Sequence, residues 1–241
     1  MKKSEFISSQ HPQPGVLRYS NRAPIQQIPK VLHFVWVGDE AKCPHHCIDS
    51  WRVHHPDWVI KVWGNDDYNN RQWRLKSHMQ DMWNYELNGV ADMMRYEILL
   101  ENGGIALDAD SICLKPLPEW ILECEAVAAT ENGLFRTPLI ACGFQGTRPK
   151  NQFYETLVRE LESNPNALFK TILGFRHKRY PAWKSVGPRY LTRIYQREAY
   201  SNLTILPGHF FYPEVGKDGY AYTGGGPVYA YQLWGSTFSG Y

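Results

Sequence analysis

A chain of 241 residues that is 43% apolar and 14% aromatic is long enough for one well-cored domain and leaves little room for two. No window approaches the ~18 uninterrupted apolar residues of a membrane-crossing helix, and the N-terminal MKKSEFISSQHPQPG has no apolar core of the kind a signal peptide needs. A soluble, cytoplasmic protein without an anchor is therefore expected, and its five cysteines (Cys43, Cys47, Cys113, Cys124, Cys142) are an odd set that fits buried thiols better than a disulfide framework.

Residues 1–27 are polar and carry three prolines, so they read as an arm, with the domain occupying 28–241. Val31 to Val37 is almost wholly apolar and ends at Gly38, as expected of a strand buried on both faces of a largely parallel sheet. Next, CPHHC at Cys43 to Cys47 packs two thiols and two imidazoles into five residues. Tetrahedral zinc sites combine two spaced ligand pairs, and no second pair of suitable spacing follows. Pro44 to His54 predicts a first helix, Trp58 to Trp63 a second strand and Trp73 to Leu87 a helical stretch, an alternation that points to an α/β fold.

Ala91 to Asp110 reads ADMMRYEILLENGGIALDAD. Asp92 and Arg95, three apart, share a helical face, while Met94 with Ile98 and Tyr96 with Leu100 are spaced to bury another. Asn102-Gly103-Gly104 should end the helix, because glycine takes the left-handed conformation that closes one. Ile105-Ala106-Leu107 can then leave as a strand. In an extended chain Asp108 and Asp110 would project to one side at the sheet's carboxyl edge, where open α/β sheets bind ligands. Two carboxylates in one cleft repel unless a cation or a proton intervenes. Their oxygens suit Mg²⁺ or Mn²⁺, which complete their shells with water and substrate phosphates.

The charge is uneven. From Ser163 to Arg197 there is no acid, while Lys170, Arg176, Lys178, Arg179, Lys184, Arg189, Arg193 and Arg197 take eight of the 26 basic residues, leaving 18 against 24 acidic ones elsewhere. Tyr180, Trp183, Tyr190 and Tyr195 are interleaved among these cations. Such a surface suits an anionic glycan or a nucleic acid bearing a modified base. Arg179, Trp183 and Arg189 are the candidate acceptor residues. Near the C-terminus, Gly224-Gly225-Gly226 supplies the freedom for a hinge, and 224–241 is expected to form a lid.

Taken together, IPKVLHFVWVG from Ile28, Ser50-Trp51 followed by HPDW to Trp58, ADMMRYEILLENGGIALDAD and LKPL at Leu114 to Leu117 resemble glycosyltransferase family 32, the DXD-bearing sugar transferases. The likeness runs over about 90 residues and extends more distantly to the clostridial glucosylating toxins. It implies a single-domain GT-A fold, a Rossmann-like sheet flanked by helices, with a donor part at 28–145, an acceptor part at 146–223 and the lid beyond. The implied activity is metal-dependent hexose transfer, with retention, from a nucleotide-diphosphate sugar, UDP before GDP, to a glycan or polysaccharide. A transferase acting on modified DNA bases, a toxin-like protein-modifying enzyme and a degenerate sugar-nucleotide-binding module are the alternatives.

By position, the resemblance implies that Asp108 and Asp110 hold Mn²⁺ or Mg²⁺ and, with Arg95, form the catalytic set. Val35, Trp36, Asp92, Arg95, Asp108, Trp234 and Ser236 would bind the donor, Trp36 by stacking on the base. Two departures stand out. Ala106 occupies a position where the family carries tyrosine or a similar side chain, which could alter donor-sugar selection, and VYAYQLWGSTFSGY lacks the family's C-terminal histidine, leaving Gln232, Trp234 and Ser236 as the nearest residues able to close over the diphosphate.

Overall fold

The computed structural model describes residues 27–131, 139–173, 175–215 and 220–235. Apart from Gln27, the polar arm lies outside these residues, as does Ser236. In chain order the elements are β1 (Val31–Val35), α1 (His45–His54), β2 (Val59–Trp63), α2 (Asn65–Asn70), α3 (Lys76–Trp83), α4 (Leu87–Asn102), β3 (Gly104–Leu107), β4 (Ser111–Cys113), β5 (Ala126–Thr130) and β6 (Ile140–Thr147). There follow α5 (Gln152–Glu162), β7 (Phe169–Ile172), β8 (Phe175–Arg179), α6 (Ala182–Ser185), α7 (Pro188–Glu198), β9 (Leu203–Leu206), β10 (Glu214–Val215), β11 (Tyr220–Ala221) and β12 (Ala230–Gln232).

Six strands form one sheet in the order β2-β1-β3-β6-β5-β9. β1 runs parallel to β2 and β3, β6 runs antiparallel to β3 and β5, and β5 is parallel to β9. The apolar run predicted at Val31 lies inside this sheet, and its alternate side chains feed two cores. Leu32 and Phe34 join Trp51, Ile105, Leu107 and Phe144 on one face. Val35 lies on the other with Trp63, Met93, Tyr96 and Tyr190. Mixed rather than parallel, the sheet still places the carboxyl ends of β1 and β3 side by side, and that edge carries the site.

The helix expected from Ala91 begins four residues earlier, at Leu87, and it is buried on all sides from Gly89 to Leu100 instead of along one stripe. α3, α5, α6 and the strands β1, β3 and β6 pack around it, and Tyr190 of α7 meets Tyr96 at 6.3 Å between ring centroids, so there is no solvent face to leave polar. The Trp73–Leu87 stretch is correspondingly not one helix. α3 stops at Trp83 and Glu86 is extended. The Glu86 Oε2 accepts from the Ala182 backbone N–H at 2.8 Å, which ties the break to α6. Inside α4, the buried Glu97 accepts from the backbone N–H groups of Arg74 and Leu75, both at 2.9 Å. This places a carboxylate at the start of α3, where the helix dipole favours it.

Gly103 and Gly104 turn the chain as the sequence predicts, with φ of +64° and +89°. A Cβ on Gly103 would sit 2.7 Å from Pro149 Cδ, and one on Gly104 would sit 2.7 Å from the Val31 carbonyl. The carbonyl of Gly103 is read by a buried histidine: His33 Nδ1 accepts from Trp63 Nε1 at 3.1 Å, which assigns the ring proton to Nε2, and Nε2 lies 3.0 Å from Gly103 O. Burial pushes the His33 pKa down to about 4 from 6.5. The unfolded chain therefore binds more protons between those values, so this stability is present at neutral pH and is lost as pH falls from about 6.5 towards 4. We expect wild type to lose about 2–3 kcal/mol through this group on going from pH 7 to pH 4. His33→Gln should flatten that part of the profile, measured by urea unfolding at stepped pH.

Candidate active site

At the carboxyl ends of β1 and β3 the surface opens into a cleft of about 540 Å³, the place where ligands bind in open α/β sheets. One wall comes from the end of β1 and the loop after it, Val35, Trp36 and Asp39. The Trp36 indole N–H donates to the Asp39 carbonyl at 2.9 Å, which holds the ring by its edge at the cleft. The N-terminal half of α4 with Arg95 just beyond it forms the floor through Asn88, Ala91, Asp92 and Arg95, and Asp108 to Asp110 form the far wall.

Asp108 and Asp110 do share the cleft, although strand alternation is not the cause. β3 ends at Leu107 and the chain turns, with the Ser111 N–H bonded to the Asp108 carbonyl at 3.1 Å and the Asp108 N–H to the Gly143 carbonyl at 3.1 Å. The turn gives the two carboxylates different neighbours. Asp108 pairs with Arg95, Nη2 to Oδ1 at 2.5 Å, and Arg95 Nη1 lies 2.9 Å from Asp92 Oδ1. Asp92 and Arg95 are thus a buried pair rather than a surface one, with side chains 10% and 6% exposed. Burial, with Asp108 adding to it and Arg95 opposing it, raises the Asp92 pKa to about 7.

Asp110 belongs to a different circuit. β12 pairs antiparallel with β4, Gln232 against Ser111, Tyr231 against Ile112 and Ala230 against Cys113. The Asp110 Oδ1 accepts from Gln232 Nε2, and Oδ2 accepts from the Gly235 N–H at 3.0 Å. Between them Trp234 takes φ +58°, a left-handed backbone that costs an indole-bearing residue about 1–2 kcal/mol. That conformation delivers Trp234 into the cleft. The C-terminal segment predicted to cover the site is in this way joined to the second aspartate itself.

Arg95 Nε, Tyr212 Oη and Trp234 Nε1 are buried donors with no acceptor among the described residues, and all three residues line the cleft. Such groups are rare in folded proteins, and a ligand rich in oxygen is their chemical match. Gly143 leaves the space they need, because a Cβ there would collide with Asp108 Oδ2 and lie 2.8 Å from Tyr212 Oη. Neither Tyr212 nor Gly143 was legible as a site residue. Tyr212 sits in a plain aromatic run, FFY, and its position is set by packing against Trp234, 6.1 Å between ring centroids.

Other predicted residues are distributed unequally. Trp183 reaches the cleft rim, but Arg179 and Arg189 do not line it. Arg179 stacks over Tyr85, 3.9 Å from its ring centroid, and Arg189 is exposed on α7. Ala106 is fully buried in β3 between His33 and Gln145 and does not line the cleft. In CPHHC the Cys47 sulfur lies 3.3 Å from His46 Nε2, and its thiol pKa is raised to about 11 by burial.

The donor set suits a hard divalent cation. Asp108 and Asp110 bring two carboxylates to one cleft, and magnesium-like ions take one or two carboxylates, with water and phosphate completing the shell. Among the described residues no group of three or more His, Cys, Asp or Glu could hold a metal. The remaining ligands would come from water and substrate.

Residues 44–127 match the family described as "Glycosyltransferase sugar-binding region containing DXD motif". Over 119 residues the chain is 32% identical to inositol phosphoceramide mannosyltransferase 3 of Schizosaccharomyces pombe, covering 43% of this chain and 31% of that protein. Over 153 residues it is 24% identical to inositol phosphoceramide mannosyltransferase 2 of the same yeast, covering 57% and 39%. The chain therefore spans about a third of the length of these curated relatives. Among solved structures it is similar to the ligand-free glycosyltransferase domain of the YGT toxin (TM-score 0.55, 10% identity, 76% of this chain and 81% of that one). The UDP-bound form of that domain (0.52, 10%, 76% and 80%) and the PaToxG glycosyltransferase (0.51, 15%, 71% and 70%) are similar too. At such identities these likenesses establish the fold, which is that of GT-A glycosyltransferase domains, as the resemblance read from the motifs implied.

Proposed function

We propose that a chain whose residues 44–127 carry the DXD sugar-binding region of glycosyltransferases transfers a hexose, with retention of anomeric configuration, from a nucleotide-diphosphate sugar to a glycan acceptor. The observation that carries this reading is the joining of Asp92, Arg95 and Asp108 in the cleft, with three buried donors there that find no acceptor among the described residues. A diphosphate bonded to a sugar offers oxygen acceptors to all of them.

In this reading Trp36 stacks on the base, UDP in preference to GDP. Arg95 and Asp92 orient the sugar and diphosphate, and Tyr212 and Trp234 donate to oxygens around the bond that breaks. Asp108 and Asp110 would hold Mn²⁺ or Mg²⁺, which when bound offsets the charge growing on the leaving diphosphate. Gln232 and Gly235 fix the direction in which Asp110 presents its carboxylate. The acceptor hydroxyl enters past Trp183, attacks from the face the diphosphate leaves, and gives its proton to a phosphate oxygen of the leaving group.

Screening hydrolysis of UDP- and GDP-sugars with Mn²⁺, then repeating the best case in excess chelator, tests the reading. Turnover of one donor that stops on chelation supports it, and indifference to every donor would sink it. Trp36→Ala is expected to raise the donor KM about tenfold with kcat little changed, since base–aromatic stacking is worth about 1–3 kcal/mol. An equal fall in kcat would show that Trp36 does something other than bind the base.

A further inference from the structure

β7 and β8 form an antiparallel hairpin outside the main sheet, and its two faces differ. Phe169, Arg179, Thr171 and Arg176 share the face turned to the body of the protein. There the Arg176 guanidinium sits 4.2 Å from the Phe169 ring centroid and 3.0 Å from Asp81 Oδ2, and Arg179 stacks on Tyr85. On the opposite face Lys170 stands directly across from Lys178, and Ile172 across from Phe175. Lys170 and Lys178 are exposed. Like charges directly opposite in a hairpin are destabilising, and no acid occurs from Ser163 to Arg197 to relieve them.

Beyond the lysines the crown is apolar and open to solvent. Ile172 is 45%, Leu173 93% and Phe175 78% exposed, three large apolar side chains within four positions at the tip of one hairpin. Paired lysines beneath an aliphatic and aromatic crown combine the two terms by which a peripheral element holds an anionic bilayer: apolar burial among headgroups and attraction of ammonium groups to lipid phosphate. Leucine and isoleucine at the crown have no stacking or charge role on a nucleic acid, whose surface would be met by the cations and rings alone. From Arg179 the chain passes through the exposed Tyr180 to Trp183 at the cleft rim, so a surface engaged by the hairpin lies next to the site.

We infer that the β7–β8 hairpin is a docking element for an anionic lipid surface, its apolar crown entering the headgroup layer and Lys170 and Lys178 facing the phosphates. The inference does not rest on sugar transfer and stands or falls separately from it.

The test is flotation of the full chain with vesicles of phosphatidylcholine alone and with vesicles mixed equally with phosphatidylglycerol. Binding is expected only to the anionic vesicles and should weaken with added salt. Each ammonium near such a surface contributes about fivefold, so Lys170→Gln with Lys178→Gln should lower affinity about 25-fold. Leu173→Ser with Phe175→Ser should reduce it at least as much, and these exposed substitutions should leave the unfolding midpoint unchanged. In Phe175→Trp, which adds a reporter at the crown, tryptophan emission should shift to the blue on anionic vesicles. Failure of the wild-type chain to float, or flotation that ignores the crown substitutions, would overturn the inference. So would retention of duplex DNA in a gel shift that depends on the lysines and is indifferent to the crown, since the surface would then be a nucleic-acid site.

Discussion

Asp110→Asn should lower metal-dependent sugar transfer by about a thousandfold while the protein stays folded. The carboxylate has two tasks that one substitution separates from the fold. It would supply a negatively charged oxygen to the cation, and charge stabilisation at a leaving group is typically worth about 10²–10³ in rate for each group removed. It also accepts hydrogen bonds on both oxygens, from Gln232 and from the Gly235 N–H. An asparagine keeps one acceptor but turns its NH₂ towards one of two donors, so the segment carrying Trp234 loses an anchor as well. Gln232→Ala distinguishes the tasks: it removes one anchor and leaves the charge, and should cost only about tenfold. Measuring kcat and Mn²⁺ dependence for both variants checks this. An Asp110→Asn enzyme of wild-type rate would remove this residue from the metal site, and equal losses in the two variants would place its role in anchoring alone.

The second large effect is on stability. Arg95 is the sole cation in ion-pair contact with Asp92 and Asp108 among the described residues. Arg95→Met keeps much of the stem volume but leaves the Asp92 carboxylate buried without its counter-charge. Breaking a buried pair from one side costs about 3–5 kcal/mol, so the urea midpoint should fall accordingly. Asp92→Asn in the same chain should recover part of the loss, because the stranded charge is gone. The cost should also depend on pH in a defined direction. Asp92 already titrates at about 7 with Arg95 present, and removing the arginine raises it further. The unfolded carboxyl ionises near 3.8 in both proteins, so the extra cost of the substitution is flat while both folded forms hold Asp92 protonated and grows as pH rises through about 7 towards the raised value. A variant equally unstable at pH 4.5 and pH 8 would mean that the loss comes from packing.

Much of the cleft was legible because its determinants are local. The Val31–Val37 run, the helix before Asn102-Gly103-Gly104 and the DAD triplet are each written within a few residues, and steric rules act at that range. The resemblance added roles to Trp36, Asp92 and Arg95 that local rules could not assign, and the cleft brings all three together with Asp108 and Asp110. Where reading failed, the determinant was distant. The helix at Asp92 could not be recognised as buried all round, since the elements that cover it lie as far away as α7. The basic segment looked like one surface. In the fold its cations part company, Arg176 and Arg179 turning inward onto Asp81, Phe169 and Tyr85 while Lys170 and Lys178 turn out.

The sequence by itself determined the α/β class, the glycine-closed helix, the pair of aspartates after the strand and the family they resemble. Each is set by side-chain period, by the φ values glycine allows, or by motif order along one stretch of chain. Only the tertiary structure decided how those aspartates are used. Asp108 falls to Arg95 thirteen positions back and Asp110 to Gln232 more than a hundred positions on, while Tyr212 joins them from a run with no motif at all. Hydrogen bonds and burial depend on which atoms packing brings within about 3 Å, and no local pattern encodes which distant strand will arrive at that edge.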